Sequence, residues 1–295
     1  MKNVSEIIEQ GNKNAELPAW LNMRHAWSAS DAKRDEGLAY PDNVIQIKNL
    51  DYKKAIDVKK WNESFQREDN ERIIYYNEPD DASNLDSERY ASNSLFDIYY
   101  PAEPDAQTTY PVIVSVHGGG WFYGDKELYS YYCCHLASKG FAVVNFNYRL
   151  APQNKYPAAI EDVAYIIHYI HENAGVLHLD MEKFYMLGDS AGAQLTANYC
   201  IIAGNAAYRS KLDFFTYDRL PKAVCLNCGA YEMDKLEDNI SDWYMKKEDG
   251  SYAVSEEQRK LFLSQLEYLT KDFPPAYLMY LSLIHISEPT RLGMI

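Results

Sequence analysis

Six short apolar runs follow one another from residue 94 onward, and this rhythm constrains the fold more than any other feature. The runs are SLFDIYYP, PVIVSVHG, FAVVNFNYRL, KFYMLGDS, KAVCLNC and PPAYLMY. Nearly continuous apolar strands are typical of a sheet that is buried on both faces. Segments with helical periodicity separate them, at residues 157–173, 190–203 and 256–268. This order predicts an α/β protein with a mostly parallel sheet and helices on both faces.

The chain before this region divides into three parts. Residues 1–42 are predicted to form an N-terminal helical arm or cap, because apolar anchors such as Trp20 and Trp27 lie in an otherwise polar segment. Residues 44–50 alternate like a strand and begin the main domain, which we place at 43–280. Residues 54–93 are charged, rich in Asn and without clear period, so we interpret them as a solvated polar insertion between two strands.

Charge and cysteine content exclude several classes of protein. The 295 residues carry a formal net charge of -14, and an acidic surface repels the phosphates of nucleic acid and anionic membranes. Five cysteines in so long a chain do not indicate a disulfide scaffold. We find no apolar core of signal-peptide length and no run of 18 apolar residues. These features predict a cytoplasmic protein without a membrane span, and they leave the oligomeric state open.

The sequence Gly188-Asp189-Ser190-Ala191-Gly192 matches the pattern G-x-S-x-G. It follows a predicted strand and opens a predicted helix, which is the context that exposes a nucleophilic hydroxyl on a sharp turn. Side chains two residues to either side would crowd the neighbouring elements, so both positions favour Gly. The alternative is an ordinary strand-to-helix turn, and the combination of pattern and context favours the nucleophile.

A second motif, His117-Gly118-Gly119-Gly120-Trp121, follows the predicted strand PVIVSV. A glycine-rich loop lets backbone N–H groups approach the oxyanion that forms during acyl transfer. A flexible loop or a phosphate-binding loop is the alternative, but the chain contains neither G-x-G-x-x-G nor G-x-x-x-x-G-K-[ST].

These motifs, together with YRLAP at 148–152 and YPAAIED at 156–162, resemble the hormone-sensitive-lipase-like branch of the α/β-hydrolases. The resemblance covers about residues 94–280. It implies an α/β-hydrolase fold with an eight-stranded sheet and a small helical cap from the N-terminal arm and a later insertion. It implies no metal and no cofactor.

The resemblance also implies roles for individual residues. Ser190 would be the nucleophile, and the N–H groups of Gly119, Gly120 and Ala191 would form the oxyanion hole. His117 would brace the loop rather than act as a base, and Trp121 would flank the acyl side of the pocket. Supporting positions of the two motifs are Gly118, Gly188, Asp189 and Gly192, and Asp189 and Asp162 would be structural.

Other chemistry-bearing residues favour structural roles. Cys225 and Cys228 have C-x-x-C spacing but lie in a predicted strand without a second pair, so we predict core cysteines. We expect the same of the adjacent Cys133 and Cys134. His168 and His171 lie on one predicted helix, but a metal site would need a third ligand that the pair lacks. His25, His135 and His178 belong to no motif.

The C-terminus departs from the family pattern, whose catalytic order is Ser, Asp, His. The acid should follow PPAYLMY and the base should come some 30 residues later, yet the last histidine is His285. Residues 281–291, LSLIHISEPTR, match a translated frame of a common transposon-based sequencing adapter. We therefore interpret residues 281–295 as a non-native tail on a truncated gene, with the family's Asp and His absent. We also expect the truncation to leave apolar surface and an unpaired strand edge exposed. Earlier carboxylates are poor substitutes: Asp234, Asp238, Asp242, Asp249 and Asp272.

The sequence therefore predicts that the intact parent is a serine carboxylesterase, acting on small-molecule esters with short acyl or acetyl groups, and that this chain is inactive. An amidase or arylformamidase is an alternative, because the same apparatus cleaves amides. A non-catalytic ligand-binding homologue of the same fold is another, although a pure binder need not keep both motifs.

Overall fold

A computed structural model describes residues 17–65, 72–77, 84–102, 104, 107–236, 239–281 and 292–294. Its strands are β1 Ile45–Asp51, β2 Ile73–Tyr75, β3 Leu95–Tyr100, β4 Tyr110–Val116, β5 Ala142–Phe146, β6 Leu179–Asp189, β7 Val224–Asn227, β8 Ala276–Leu281 and β9 Leu292–Met294. Its α-helices are α1 Ala19–Asp35, α2 Val58–Glu63, α3 Glu88–Ser92, α4 Ser130–Ala137, α5 Ala158–Glu172, α6 Ala191–Gly204, α7 Ala206–Arg209, α8 Asn239–Met245 and α9 Glu256–Leu263. Short 3₁₀ turns span Lys126–Tyr129, Met233–Lys235 and Gln265–Tyr268.

The described strands form one sheet in the order β2-β1-β3-β5-β4-β6-β7-β8-β9. The pairs from β5 through β4, β6 and β7 to β8 are parallel, and β1 pairs parallel with β2. The pairs β1–β3, β3–β5 and β8–β9 are antiparallel. The predicted α/β fold with a mostly parallel sheet is confirmed, and nine described strands replace the eight that the resemblance implied.

Helices cover the two faces of the central strands. In β5, Val143 packs in a cluster with Cys133 and Cys134 of α4, whereas its neighbour Val144 packs in the main core. Successive strand residues point to opposite faces, so α4 lies on one face. The other face holds α5 and α6, whose apolar residues, such as Ile167, belong to the main core.

The segment 54–93 differs from the predicted solvated insertion. Its described residues form α2, β2 and α3, and β2 extends the sheet by pairing with β1. Trp61, Ile74 and Tyr90 are buried in the main core. The polar composition concealed this role, although Trp61, Ile74 and Tyr90 each pack into the core.

Two helices end differently from their predicted bounds. The helix that follows Ser190 runs through Gly204, so that this glycine closes the helix instead of following it. Residues 256–268 divide into α9 and a 3₁₀ turn, with Ser264 between them in a non-helical conformation.

The C-terminal strands are covered unevenly. On one side Val224 and Leu226 of β7 are buried, whereas on the other side Tyr185, Cys225 and Tyr277 are half-buried or exposed. We call this second side of β6–β8 the open face. A cavity of about 350 Å³ on this face is lined in part by Leu187, Asn227, Met279, Tyr129 and Tyr132. β8 also exposes Leu278, which lies in register with Leu226 on the covered side.

The edge of β8 is paired with β9, in the register Met279 to Met294 and Tyr280 to Gly293. We expected a truncated sheet to end in an unpaired strand, and this expectation is wrong for the described residues. Three residues of the tail supply the backbone partners, because any extended segment can satisfy a strand edge.

Candidate active site

Ser190 lies at the corner between β6 and α6, as the sequence predicted. Its backbone has φ 51° and ψ −116°, a conformation that is sparsely populated by residues other than glycine. Its N–H donates to the Asn227 carbonyl at 2.7 Å, which ties the corner to the end of β7. Its side chain is exposed and does not cap the helix. Backbone contacts therefore hold the corner, and the hydroxyl remains available for chemistry.

Close packing explains the glycines on both sides of Ser190. A Cβ at Gly192 would overlap the carbonyl oxygen of Val116, and a Cβ at Gly188 would lie 2.6 Å from the Cα of Ala193. The contact between Gly192 and Val116 also places the corner directly against the end of β4. The two motifs, 73 residues apart in the sequence, are thus adjacent in the fold.

Residues 117–124, which we call the oxyanion loop after the role that the resemblance implies, turn back on themselves after β4. The carbonyl of Gly119 accepts hydrogen bonds from the N–H groups of Phe122 and Tyr123, at 3.2 and 2.9 Å. Gly119 has φ +116°, and a Cβ there would overlap the Tyr123 carbonyl. No residue with a side chain fits this turn without rearrangement.

The three N–H groups that the resemblance assigns to the oxyanion hole have no hydrogen-bond acceptor within the described part of the chain, and neither does that of Trp121. The amides of Gly119, Gly120 and Ala191 donate to no described acceptor, whereas those of Gly118, Phe122 and Tyr123 do. The first amides of a helix lack intrahelical acceptors, which accounts for Ala191. Such free donors beside an exposed hydroxyl can stabilise negative charge that develops on a substrate oxygen.

His117 is fully buried beneath the loop. Its Nδ1 donates to the Gly118 carbonyl at 2.7 Å, and its ring stacks on Tyr148 at 4.0 Å between centroids. The Tyr148 hydroxyl donates to the His117 carbonyl at 3.0 Å. Burial lowers the pKa of His117 to about 4, so the ring is neutral at pH 7. These contacts support the bracing role that the resemblance implied.

Asp189 also contacts the loop through a neighbour. The Tyr129 hydroxyl donates to Asp189 Oδ2 at 2.7 Å and accepts from the Gly118 N–H at 3.4 Å. Burial raises the pKa of Asp189, which the Tyr129 hydrogen bond partly opposes. Asp162 is fully buried and accepts from the main-chain and side-chain nitrogens of Arg149, both at 2.8 Å. Both carboxylates hold structure around the site, as their predicted roles require.

Trp121 forms a wall beside the glycines. Its Nε1 donates to Gln194 Oε1 at 3.1 Å, and its ring stacks on Tyr244 of α8 at 5.2 Å. Ile240 of α8 approaches Gly120 so closely that a Cβ there would lie 2.8 Å from its Cγ2. A helix from the later insertion therefore covers the loop on this side.

Sequence reasoning missed Arg24 on α1. Its guanidinium is fully buried and bonds to the oxyanion loop and to the loop that follows β5. The available signal was a cationic residue among the apolar anchors Trp20, Leu21 and Met23. Buried arginines are rare unless they are fully hydrogen-bonded, so its position in that stripe indicated an internal contact.

The structure confirms one of the two cysteine predictions and contradicts the other. Cys133 and Cys134 are buried in α4, as expected. The prediction that Cys225 and Cys228 are core strand residues is wrong. β7 ends at Asn227, Cys228 turns into the left-handed region with φ 54°, and both cysteines are half-buried.

No described histidine contacts Ser190. His168 packs against Phe215, His171 bonds the Tyr217 hydroxyl, and His178 bonds the Thr108 carbonyl. His25 and His135 are exposed on α1 and α4. His285 and Asp238 lie outside the described residues, and among the other carboxylates considered, Asp242 pairs with Lys246 and Asp249 with Ser251.

The described residues bear on metal and membrane binding. They contain no group of three or more His, Cys, Asp or Glu side chains arranged for a metal ion. Of the helices described, none combines the length and apolarity needed to cross a bilayer.

Known proteins share this architecture. Esterase B from Lactobacillus rhamnosis, solved with a C4-C4 tributyrin phosphonate, superposes with a TM-score of 0.61 at 26% identity, over 88% of this chain and 74% of that one. Esterase LipI from Mycobacterium tuberculosis is 36% identical over 101 residues, 34% of this chain and 32% of LipI. The acetyl esterase of Salmonella paratyphi B is 35% identical over 97 residues, 32% of this chain and 29% of that protein. The chain thus spans about a third of the length of these curated relatives.

The model of the family described as BD-FAE matches residues 96–280, which include Ser190, the oxyanion loop and the parallel half of the sheet. With the α/β-hydrolase architecture and the geometry of the corner, this match establishes that the chain belongs to the BD-FAE family.

Proposed function

We propose that the intact parent of this chain is a carboxylic ester hydrolase that forms an acyl-enzyme on Ser190. One observation carries the proposal: an exposed hydroxyl at a strained strand-to-helix corner lies beside a loop in which the Gly119 and Gly120 amides have no acceptor in the described chain. The esterases named among its relatives support the same reaction class.

The proposed reaction has two stages. Ser190 Oγ forms a bond to the ester carbonyl carbon as its proton passes to a base, and the carbonyl π electrons move to oxygen. The N–H groups of Gly119, Gly120 and Ala191 stabilise this oxyanion. Its collapse breaks the bond to the alcohol oxygen, which leaves with the proton, and water then cleaves the acyl-enzyme by the same steps.

Ser190 needs a base because a serine hydroxyl is a weak nucleophile at neutral pH. None of the described histidines contacts it. We propose that the parent's base and acid follow β8, and that residues 281–295 are a non-native tail in their place. The apolar open face of β6–β8 supports this proposal, since such a face is normally covered in an α/β protein.

We further propose that the substrates carry short acyl groups, acetyl above all. Trp121, Tyr244 and Ile240 fill the space next to Gly120 with large side chains, and Trp121 is 4% exposed. A parent protein assayed on p-nitrophenyl esters of two to sixteen carbons should show its highest kcat/KM at the short end. A maximum at twelve carbons or more would contradict the short-acyl assignment.

The nucleophile can be tested with two serines that begin helices. Ser190 makes no capping bond, whereas Ser255 begins α9 and accepts a hydrogen bond from the Gln258 N–H at 3.2 Å. In the chain with native downstream sequence, Ser190→Ala should lower kcat about 10⁶-fold with little loss of stability. Ser255→Ala should keep the activity and cost about 1 kcal/mol of unfolding free energy.

Mass spectrometry after treatment with an alkyl phosphonate locates the reactive residue. We expect one adduct, on Ser190, in the wild type and in Ser255→Ala. An adduct elsewhere, or turnover that survives Ser190→Ala, would refute the assignment. Faster cleavage of an N-formyl arylamine than of an acetyl ester would favour the amidase alternative, and ligand binding without any turnover would favour the non-catalytic one.

A further inference from the structure

The guanidinium of Arg24 joins three separate segments of the chain. Nε donates to the Phe122 carbonyl at 2.6 Å, Nη1 to the Leu85 carbonyl at 2.6 Å, and Nη2 to the Ala151 carbonyl at 2.8 Å. Nη2 also donates to Gln153 Oε1 at 2.9 Å. The partners are three backbone carbonyls and one amide oxygen.

Burying this cation is costly, so the contacts must compensate for lost hydration. Arg24 is 0% exposed, and burial lowers its pKa to about 10, which leaves it charged at neutral pH. The rings of Trp20 and Tyr90 lie 4.7 and 5.2 Å from its central carbon and add cation–π attraction. A planar guanidinium can bond several carbonyls at fixed angles, which the single ammonium of lysine cannot reproduce.

Two of the four acceptors, the carbonyls of Phe122 and Ala151, flank a backbone hydrogen bond between the oxyanion loop and the loop that follows β5. The Ala151 N–H donates to the Trp121 carbonyl at 2.8 Å, and Arg24 bonds the carbonyls of Phe122 and Ala151. Phe122 in turn donates its N–H to the Gly119 carbonyl, which closes the turn. Arg24 therefore fixes the end of the turn that sets the direction of the Gly119 and Gly120 amides.

The rest of α1 contacts the same loop. Trp27 packs on Phe122 at 5.0 Å and on Tyr123 at 5.7 Å between ring centroids. The Tyr123 hydroxyl donates to Asp31 Oδ2 at 2.8 Å. These contacts hold the side chains of the loop against α1, whereas the bond from Arg24 Nε to the Phe122 carbonyl is made to the backbone of the turn itself.

We propose that Arg24 is a positioning residue that fixes the backbone of the oxyanion loop for catalysis. Its role in catalysis rests on the proposed function, whereas its role in loop geometry can be measured without turnover. The N-terminal helix thereby becomes part of the catalytic apparatus, although none of its residues belongs to the two motifs.

Hydrogen exchange on the chain as printed tests the geometry. In Arg24→Gln the amides of Phe122, Tyr123 and Ala151 should exchange at least tenfold faster, while those of β4 and β6 keep their wild-type rates. Arg24→Lys, which retains the charge, should recover part of the protection. Arg34→Gln removes a half-exposed guanidinium from the same helix and should leave all three amides unchanged.

Unchanged protection of these amides in Arg24→Gln would overturn the proposal. A uniform increase in exchange rate across the sheet would also overturn it, because Arg24 would then stabilise the fold as a whole. If Arg24→Gln fails to fold, the Arg24→Lys exchange pattern decides by the same criteria.

The second readout is the rate of Ser190 phosphonylation in the chain with native downstream sequence. It should fall at least tenfold in Arg24→Gln, and an unchanged rate would contradict the catalytic role. Failure of the wild type to react would refute the proposed function and leave the exchange result standing.

Discussion

The oxyanion loop and the open face of β6–β8 lie at the same end of the sheet, yet they are packed in opposite ways. The loop is enclosed by α1 on one side, through Arg24 and Trp27, and by α8 on the other, through Ile240 and Trp243. The open face exposes 56% of Tyr277, and the same strand exposes 45% of Leu278.

The difference separates the elements around Ser190, which are closely packed, from strands that are paired but partly uncovered. The elements that position Ser190 and its neighbouring amides precede residue 250 and are packed to completion. Strands β7 and β8 are formed and paired, but several of their side chains are exposed. Backbone pairing alone thus builds the sheet, whereas burial of its faces needs further elements.

The largest effect within the packed region should come from Gly119. Gly119→Val places a side chain against the Tyr123 carbonyl at φ +116° and turns the loop amides away. We expect the rate of Ser190 acylation to fall about 10²- to 10³-fold while the fold survives. Gly140 has φ +103° with nothing within 4 Å of a Cβ, so Gly140→Val controls for backbone strain and should retain full activity. Equal rates for wild type and Gly119→Val would remove the loop from the mechanism.

The contrast between packed and uncovered side chains of the C-terminal strands can be measured on two leucines in register. Leu226 of β7 is 3% exposed and faces Leu278 of β8. Leu226→Ala should lower the unfolding free energy by about 3 kcal/mol, and Leu278→Ala by less than about 1 kcal/mol. Urea denaturation of the chain as printed measures both. Similar losses would mean that Leu278 is buried in solution and that this side of β8 is covered.

A smaller effect should appear as pH dependence at His117. Its pKa is about 4 in the folded chain and about 6.5 when unfolded, so the unfolded state binds more protons between these values. The free energy of unfolding should therefore fall as the pH drops through this window, by about 2 kcal/mol at pH 5. His117→Gln should remove this component, whereas the exposed His135→Gln should not. A pH profile that is identical in wild type and His117→Gln would contradict the burial of the ring.

The sequence predicted the parts of the molecule that depend on local pattern. The apolar runs located the central strands, and the glycines around Ser190 and after His117 located the corner and the loop, because each pattern reports a steric demand on nearby backbone. It did not predict Arg24, whose acceptors lie 61 to 129 residues away. It also misjudged the burial of Trp61 and Ile74, since Trp61 is isolated in a polar segment and the apolar run around Ile74 is too short to show a period.

Side-by-side assay of three proteins on an acetyl ester tests the central claim most directly: the chain as printed, the chain with residues 281–295 replaced by the native downstream sequence, and that second chain with Ser190→Ala. We predict turnover in the second protein about 10⁶-fold above the other two. Full activity in the chain as printed that survives His285→Ala would contradict the account, because the base would then lie among residues already in place.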